Sequence, residues 1–217
     1  MMIKPDQGIV YLVDDDTVVR DALAFLLGSR GLLVFSFDGG PAVLAHLASC
    51  PRPIRGVFLV DVRMEPMSGL VLHEELLAQV IRNPLLFLSG HGDIPMVVES
   101  LKKGAFDFLE KPYADNTLVD RIEQALSIER AMLLDDARQA EGHARLASLS
   151  DREREVMPRV AAGKLNKVIA DELHIAVRTV EVHRARVFSK LGVRTAAELA
   201  TWLSNFGGSD ASAKIQR

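Results

Sequence analysis

A single cysteine, Cys50, in 217 residues excludes an intramolecular disulfide and a cysteine-based zinc site, and leaves Cys50 to be read as an inert small hydrophobe. Long apolar runs are also missing. Stretches such as residues 85–88 fall far short of the roughly 18 residues that a membrane-spanning helix needs. The opening Met1-Met2-Ile3-Lys4-Pro5-Asp6 has no apolar signal-peptide region, so a cytoplasmic protein without membrane contact is expected. With 48% hydrophobic and 25% charged residues, nothing suggests disorder or a fibrous chain. The length fits two modest domains.

Charge is scarce only in the sum. The net −3 conceals 11 Lys and Arg against 17 Asp and Glu over residues 1–127, and 10 against 7 over residues 150–204. An acidic half joined to a basic one points to a nucleic-acid partner for the second.

Residues 57–60, Val-Phe-Leu-Val, form a continuous β-type apolar run, as expected of a strand buried on both faces that delivers Asp61 at its carboxyl end. Similar short runs occur at 9–13, 32–37, 85–88 and 106–109. Helical periodicity lies between them, after residue 16 and over about 41–49, 70–81 and 95–103. Strands alternating with helices imply right-handed βαβ units and an α/β flavodoxin-like domain, its five-stranded parallel sheet in the order 2-1-3-4-5.

In that order the first, third, fourth and fifth strands are neighbours. Their ends carry Asp14, Asp15 and Asp16, then Asp61, then Ser89 and Gly90, then Lys111 and Pro112. Carboxylates gathered at one edge repel each other unless a cation neutralises them, and a hard, oxygen-loving Mg2+ does that. Ser89 and Lys111 then meet the oxygens of a phosphoryl group on Asp61, aspartate being an established covalent acceptor. Asp16, just before the helix, reads as an N-cap more than as a ligand.

The segments Val13-Asp14-Asp15-Asp16, Asp61-Val62-Arg63-Met64 with Met67-Ser68-Gly69, Ser89 to Met96, and Lys103 to Pro112 resemble the receiver domain of two-component response regulators, especially the FixJ-like group. The resemblance covers about residues 6–127. It implies that a sensor histidine kinase phosphorylates Asp61, and that Asp14, Asp15, Asp61 and the Arg63 carbonyl hold Mg2+. It further implies that Ser89 and Lys111 bind the phosphoryl group, that Phe108 is an aromatic switch rather than a plain core residue, and that Lys111-Pro112 is cis. One departure is Glu65, standing where such domains usually have proline, with Pro66 after it; we expect it to tune the metal or the phosphoryl lifetime.

The pattern of Leu118, Ile122, Ala125, Leu126, Met132 and Leu133 reads as a last receiver helix, with Asp115 as a possible cap, extending into a helical linker over 128–147. Ser150-Asp151-Arg152-Glu153 then forms a capping-box pattern. Helices follow over about 166–173, 177–191 and 195–203, a small all-α helix-turn-helix domain over 148–204 whose third helix is the groove reader. At 100° per residue, Val180, Val187 and Leu191, with Phe188 at the margin, face the core. Arg178, Val182, Ala185 and Ser189 form the opposite arc, flanked by Glu181 and Arg186. Thr179, His183 and Lys190 lie on a further flank, placed for phosphates, although His183 also reads as a surface or capping histidine. Arg184 falls inward.

The words Leu149 to Val156, Asn166-Lys167-Val168-Ile169-Ala170 and Arg178 to Arg184 look like a LuxR-type DNA-binding domain. By resemblance Glu181, Val182 and Ala185 read bases, Lys167 joins the DNA contacts, and the last helix dimerises or closes the core. Pro158 is expected to kink its helix. Ala176 is expected at the N-cap of the reading helix, and residues 205–217 are expected to be a flexible tail. The chain as a whole thus reads as a phosphorylation-gated regulator that dimerises on double-stranded DNA, with RNA polymerase as a possible further contact. The rivals are a Mg2+-dependent phosphohydrolase, disfavoured because Arg63 stands where a second aspartate is needed, and a phospho-switched protein-interaction module.

Overall fold

A computed structural model describes residues 7–90 and 94–206. Its elements in chain order are β1 (Ile9–Val13), α1 (Thr17–Ser29), β2 (Leu33–Phe37), α2 (Gly40–Ala48), β3 (Val57–Asp61), α3 (Gly69–Ala78), β4 (Leu85–Ser89), α4 (Ile94–Lys102), β5 (Asp107–Glu110), α5 (Asp115–Ala147), α6 (Asp151–Ala161), α7 (Asn166–Leu173), α8 (Val177–Leu191) and α9 (Ala196–Phe206). Two compact units divide between Leu133 and Leu134. Among the described residues no helix is long and apolar enough to cross a membrane.

In the first unit the strands are parallel, in the order β2-β1-β3-β4-β5. Period-two alternation divides their side chains between two cores. Ile9, Tyr11, Val13, Phe58, Val60 and Phe87 pack with Val43, Leu72 and Leu76 from α2 and α3. Val10, Leu12, Leu59, Leu86 and Leu88 pack on the other face with Leu23, Leu27, Leu118 and Ile122 from α1 and α5. Every residue of β1, β3 and β4 is buried, as continuous apolar runs require.

Several boundaries differ from the periodicity. The α3 helix stops at Ala78 rather than near residue 81, because Val80 takes a left-handed φ of 60° and the Ile81 N–H turns back to the Leu76 carbonyl. Asp115 is the first residue of α5, not its cap; the Ala114 carbonyl accepts from Leu118. The α5 helix passes through Gly142 without a break. A Cβ there would meet the Phe206 ring at 2.3 Å, so this glycine serves a close helix approach. Pro158 lies inside α6, which continues to Ala161.

In the second unit, Val156, Val160, Ile169, Val180, Val187, Leu191 and Leu199 are buried around α8, with Leu146, Trp202 and Leu203 packed against them. Ser150 caps α6 through a complete capping box with Glu153. The turn between α7 and α8 begins at His174, left-handed at φ 53°. Ala176 is the N-cap of α8 and offers no side-chain bond.

Candidate functional site

The carboxyl edge of the sheet gathers side chains from several strands. Asp61 ends β3 and is 8% exposed. Its Oδ1 accepts from Lys111 Nζ at 2.5 Å and its Oδ2 from the Arg63 N–H at 2.7 Å. Gly69 makes this packing possible, since a Cβ there would stand 2.2 Å from the Asp61 carbonyl oxygen. Asp14, buried after β1, accepts at Oδ1 from the Asp16 N–H at 2.9 Å, while its Oδ2 lies 3.6 Å from Lys111 Nζ. Ser89 ends β4 fully buried, and its carbonyl accepts from the Lys111 N–H at 2.8 Å. Asp14 Oδ2 and Ser89 Oγ are buried and make no hydrogen bond among the described residues.

Buried polar atoms are normally satisfied, so two such orphans at one sheet edge mark a place meant for further partners. Burial pushes the Asp14 carboxyl up, against the Asp16 N–H and Lys111, which lower it. Burial opposes the Lys111 ammonium, but its bond to Asp61 and the charges of Asp61 and Asp14 outweigh this and hold its pKa above the ordinary lysine value.

Asp16 is the N-cap of α1, accepting from the Val18 and Val19 N–H groups. Asp15 is exposed, and no three His, Cys, Asp or Glu side chains among the described residues converge as a metal cage. Side chains alternate at a strand end, so burying Asp14 turns Asp15 outward. Two hard carboxylates, one with a free oxygen, still fit Mg2+, which keeps several waters and takes one or two protein carboxylates.

Phe108 is half-buried on β5 against the core that includes Phe87. Lys111-Pro112 is cis, as is Glu65-Pro66, and Glu65 is exposed. His91, Gly92 and Asp93 of the motif after Ser89 lie outside the described residues, as do residues 207–217 of the expected tail.

On α8, Arg178, Thr179, Glu181, Val182, Ala185 and Arg186 are exposed, as is Lys167 on α7. Arg178 Nη1 reaches Glu181 Oε2 at 3.3 Å across one turn. His183 is half-buried, with Nδ1 buried and without a hydrogen bond among the described residues. Arg184 does turn inward, donating to Asn166 Oδ1 at 3.2 Å over the Phe188 ring.

Lys190 departs from the DNA-facing expectation. Its ammonium donates to the buried Glu153 at 2.7 Å and to the Ser148 carbonyl at 2.9 Å, tying the end of α8 to the start of α6. Helical angle placed it on an outer flank, but a long side chain follows the charge across from it. Periodicity alone also missed Arg20, on α1 and outside every motif, whose guanidinium donates to the Asp14 carbonyl at 2.7 Å.

Residues 10–123 match the response regulator receiver domain family, and residues 147–203 match the bacterial regulatory proteins of the luxR family. The chain is similar to the C4-dicarboxylate transport transcriptional regulatory protein DctR of Rhodobacter capsulatus, 46% identical over 195 residues that cover 88% of this chain and 96% of that protein. It is 42% identical to the transcriptional regulatory protein FixJ of Bradyrhizobium diazoefficiens, covering 89% and 93%. Among solved structures, the response regulator StyR aligns with a TM-score of 0.85 at 38% identity over 92% of this chain and all of that one.

Proposed function

Because the chain belongs to the two-component response regulators that join a receiver to a LuxR-type DNA-binding domain, and is thus a phosphorylation-dependent transcription regulator, we propose that Asp61 is its phosphoacceptor. The observation that carries this is the convergence of Asp61, Asp14, Lys111 and Ser89 on one sheet edge, with two buried oxygens left without hydrogen bonds among the described residues. A sensor histidine kinase is the donor. An Asp61 carboxylate oxygen forms the new bond to phosphorus as the bond to the donor's imidazole nitrogen breaks, and that nitrogen leaves with the bonding electrons. Lys111 and Ser89 receive the phosphoryl oxygens, which electrostatic positioning of this kind favours.

Asp14, Asp15, Asp61 and the Arg63 carbonyl would hold Mg2+, which would supply charge neutralisation at that edge. Ser89 and Phe108 are the switch. Drawing Ser89 Oγ onto the phosphoryl group vacates room on its face of the sheet, and Phe108, in the same core layer, repacks toward it. The resulting change in the face of α4, β5 and α5 favours a homodimer.

The receiver spans residues 6–127, the helical linker 128–147 and the DNA-binding domain 148–204. The α9 helix carries on to Phe206, so the tail expected from 205 does not begin before 207. Two copies of α8 lie in paired major grooves, Lys167, Arg178, Thr179, His183 and Arg186 meeting phosphates or bases, and Glu181, Val182 and Ala185 facing base edges. Glu181 accepts from cytosine N4 and Val182 meets a thymine methyl. Lys190 leaves this set because Glu153 holds it. The chain is a switch in the cytoplasm rather than a turnover enzyme, with RNA polymerase as a further contact.

Intact mass of wild type and Asp61→Asn, with and without Mg2+ and a small phosphodonor, tests this. One Mg2+-dependent phosphoryl group on wild type and none on the variant is expected; a gain on both would move the chemistry to another residue.

A further inference from the structure

We propose that Arg20 is a positioning residue of the phosphorylation site, holding Asp14 so that its one free carboxylate oxygen faces the Asp61–Lys111 pair. The inference rests on the reading of Asp14 and Asp61 as the Mg2+-binding carboxylates. Asp14 is 1% exposed and is fixed from three directions. Its N–H donates to the Phe37 carbonyl at 3.2 Å, its Oδ1 accepts from the Asp16 N–H at 2.9 Å, and its carbonyl accepts from Arg20 Nη1 at 2.7 Å. Only Oδ2 accepts no hydrogen bond among the described residues, and it is the oxygen nearest Lys111.

The geometry closes a ring. Asp16 caps α1 through the Val18 and Val19 N–H groups, and Arg20, one turn further on, reaches back to the residue before the loop. Its Nη2 also donates to Thr17 Oγ1 at 3.1 Å, fixing the plane of the guanidinium. A charge-assisted bond to a carbonyl is short and strong, and rotating that peptide would swing the Asp14 side chain with it. Groups that orient a ligand in this way typically change metal affinity 10- to 100-fold when removed.

Charge and position make opposite demands on Arg20. As a bare cation near a divalent ion it weakens Mg2+ binding, so its removal would tighten the metal; as a positioning group, its removal loosens the metal. The test is calorimetric titration of Mg2+ into the full chain, for wild type, Arg20→Ala, Arg20→Lys, Thr17→Val and Asp14→Asn, with thermal unfolding of each in EDTA. The expected result is a dissociation constant raised about tenfold in Arg20→Ala. Arg20→Lys, which keeps one donor, should recover part of the loss, and Thr17→Val should change little, with metal-free unfolding midpoints close to wild type. An unchanged or tighter constant in Arg20→Ala overturns the proposal. So does a loss matched by a fall in the metal-free midpoint and not recovered by lysine, which would make Arg20 merely structural. A wild type that binds Mg2+ no better than Asp14→Asn overturns the carboxylate reading itself, and this inference with it.

Discussion

At the carboxyl edge of the sheet the working groups come from different strands and point inward, whereas on α8 they come from one helix and point outward. Asp14, Asp61 and Ser89 are buried, and their geometry is held by backbone N–H groups, by Lys111 and by Arg20. Arg178, Glu181, Val182 and Ala185 are exposed, and the bond from Arg178 to Glu181 is an ordinary surface contact of one helical turn. Phosphoryl transfer needs charge placed in advance within a water-poor pocket, while groove reading needs side chains free to meet base edges. Substitutions in the first region should therefore disturb neighbours on other elements, and those in the second should leave the fold alone.

Lys190 breaks that division most clearly, since it sits on the reading helix yet serves the interior. Lys190→Ala leaves the Glu153 carboxylate with only the Ser150 N–H bond, and should cost about 2 kcal/mol. Trp202, the chain's one tryptophan, packs against this core and reports the loss in chemical denaturation. The Lys190 bond, then the Ser150 N–H, hold the Glu153 carboxyl below its ordinary value. A depressed acid contributes stability above its unfolded pKa, near 4.5, that disappears as pH falls through the folded value. Wild type should show this acid-side loss and Glu153→Gln should lack it; identical profiles would remove the pair from any role in stability.

Arg178→Ala sharpens the other side. Folding should be untouched, within about 0.5 kcal/mol, while DNA affinity falls. A phosphate contact would lower the salt slope by about one, and a base contact would cost about 1–3 kcal/mol at one operator position. Affinity measured across salt concentrations separates the two.

The smallest effects come from local backbone geometry. Ala176→Ser supplies the missing cap of α8 and should add about 1 kcal/mol. Val80→Gly relieves a β-branched residue at φ 60° and should add a similar amount, about 1 kcal/mol. Thermal melts check both, and a lowered midpoint in either would contradict the corresponding local reading.

The contrast also explains what could be read beforehand. Asp14, Asp61, Ser89 and Lys111 were legible because each ends an apolar run, and sheet order then makes them neighbours. The buried face of α8 was legible because one helix carries its own angular register: Val180, Val187 and Leu191 are all fully buried. Arg20 and the Glu153–Lys190 pair were not, since each joins residues whose proximity depends on how loops and helices pack. Nothing in the sequence explains why Gly142 stands in mid-helix, and the Phe206 ring against it supplies the reason.

The most direct measurement joins the two regions: DNA affinity of the full chain, with and without a small phosphodonor and Mg2+, for wild type and Asp61→Asn, on duplexes selected from a random library. Phosphorylated wild type should bind about tenfold tighter or more, within the range typical of coupled sites, and Asp61→Asn should not respond. Equal affinity in wild type with and without a verified phosphoryl group on Asp61 would contradict phosphorylation control of α8.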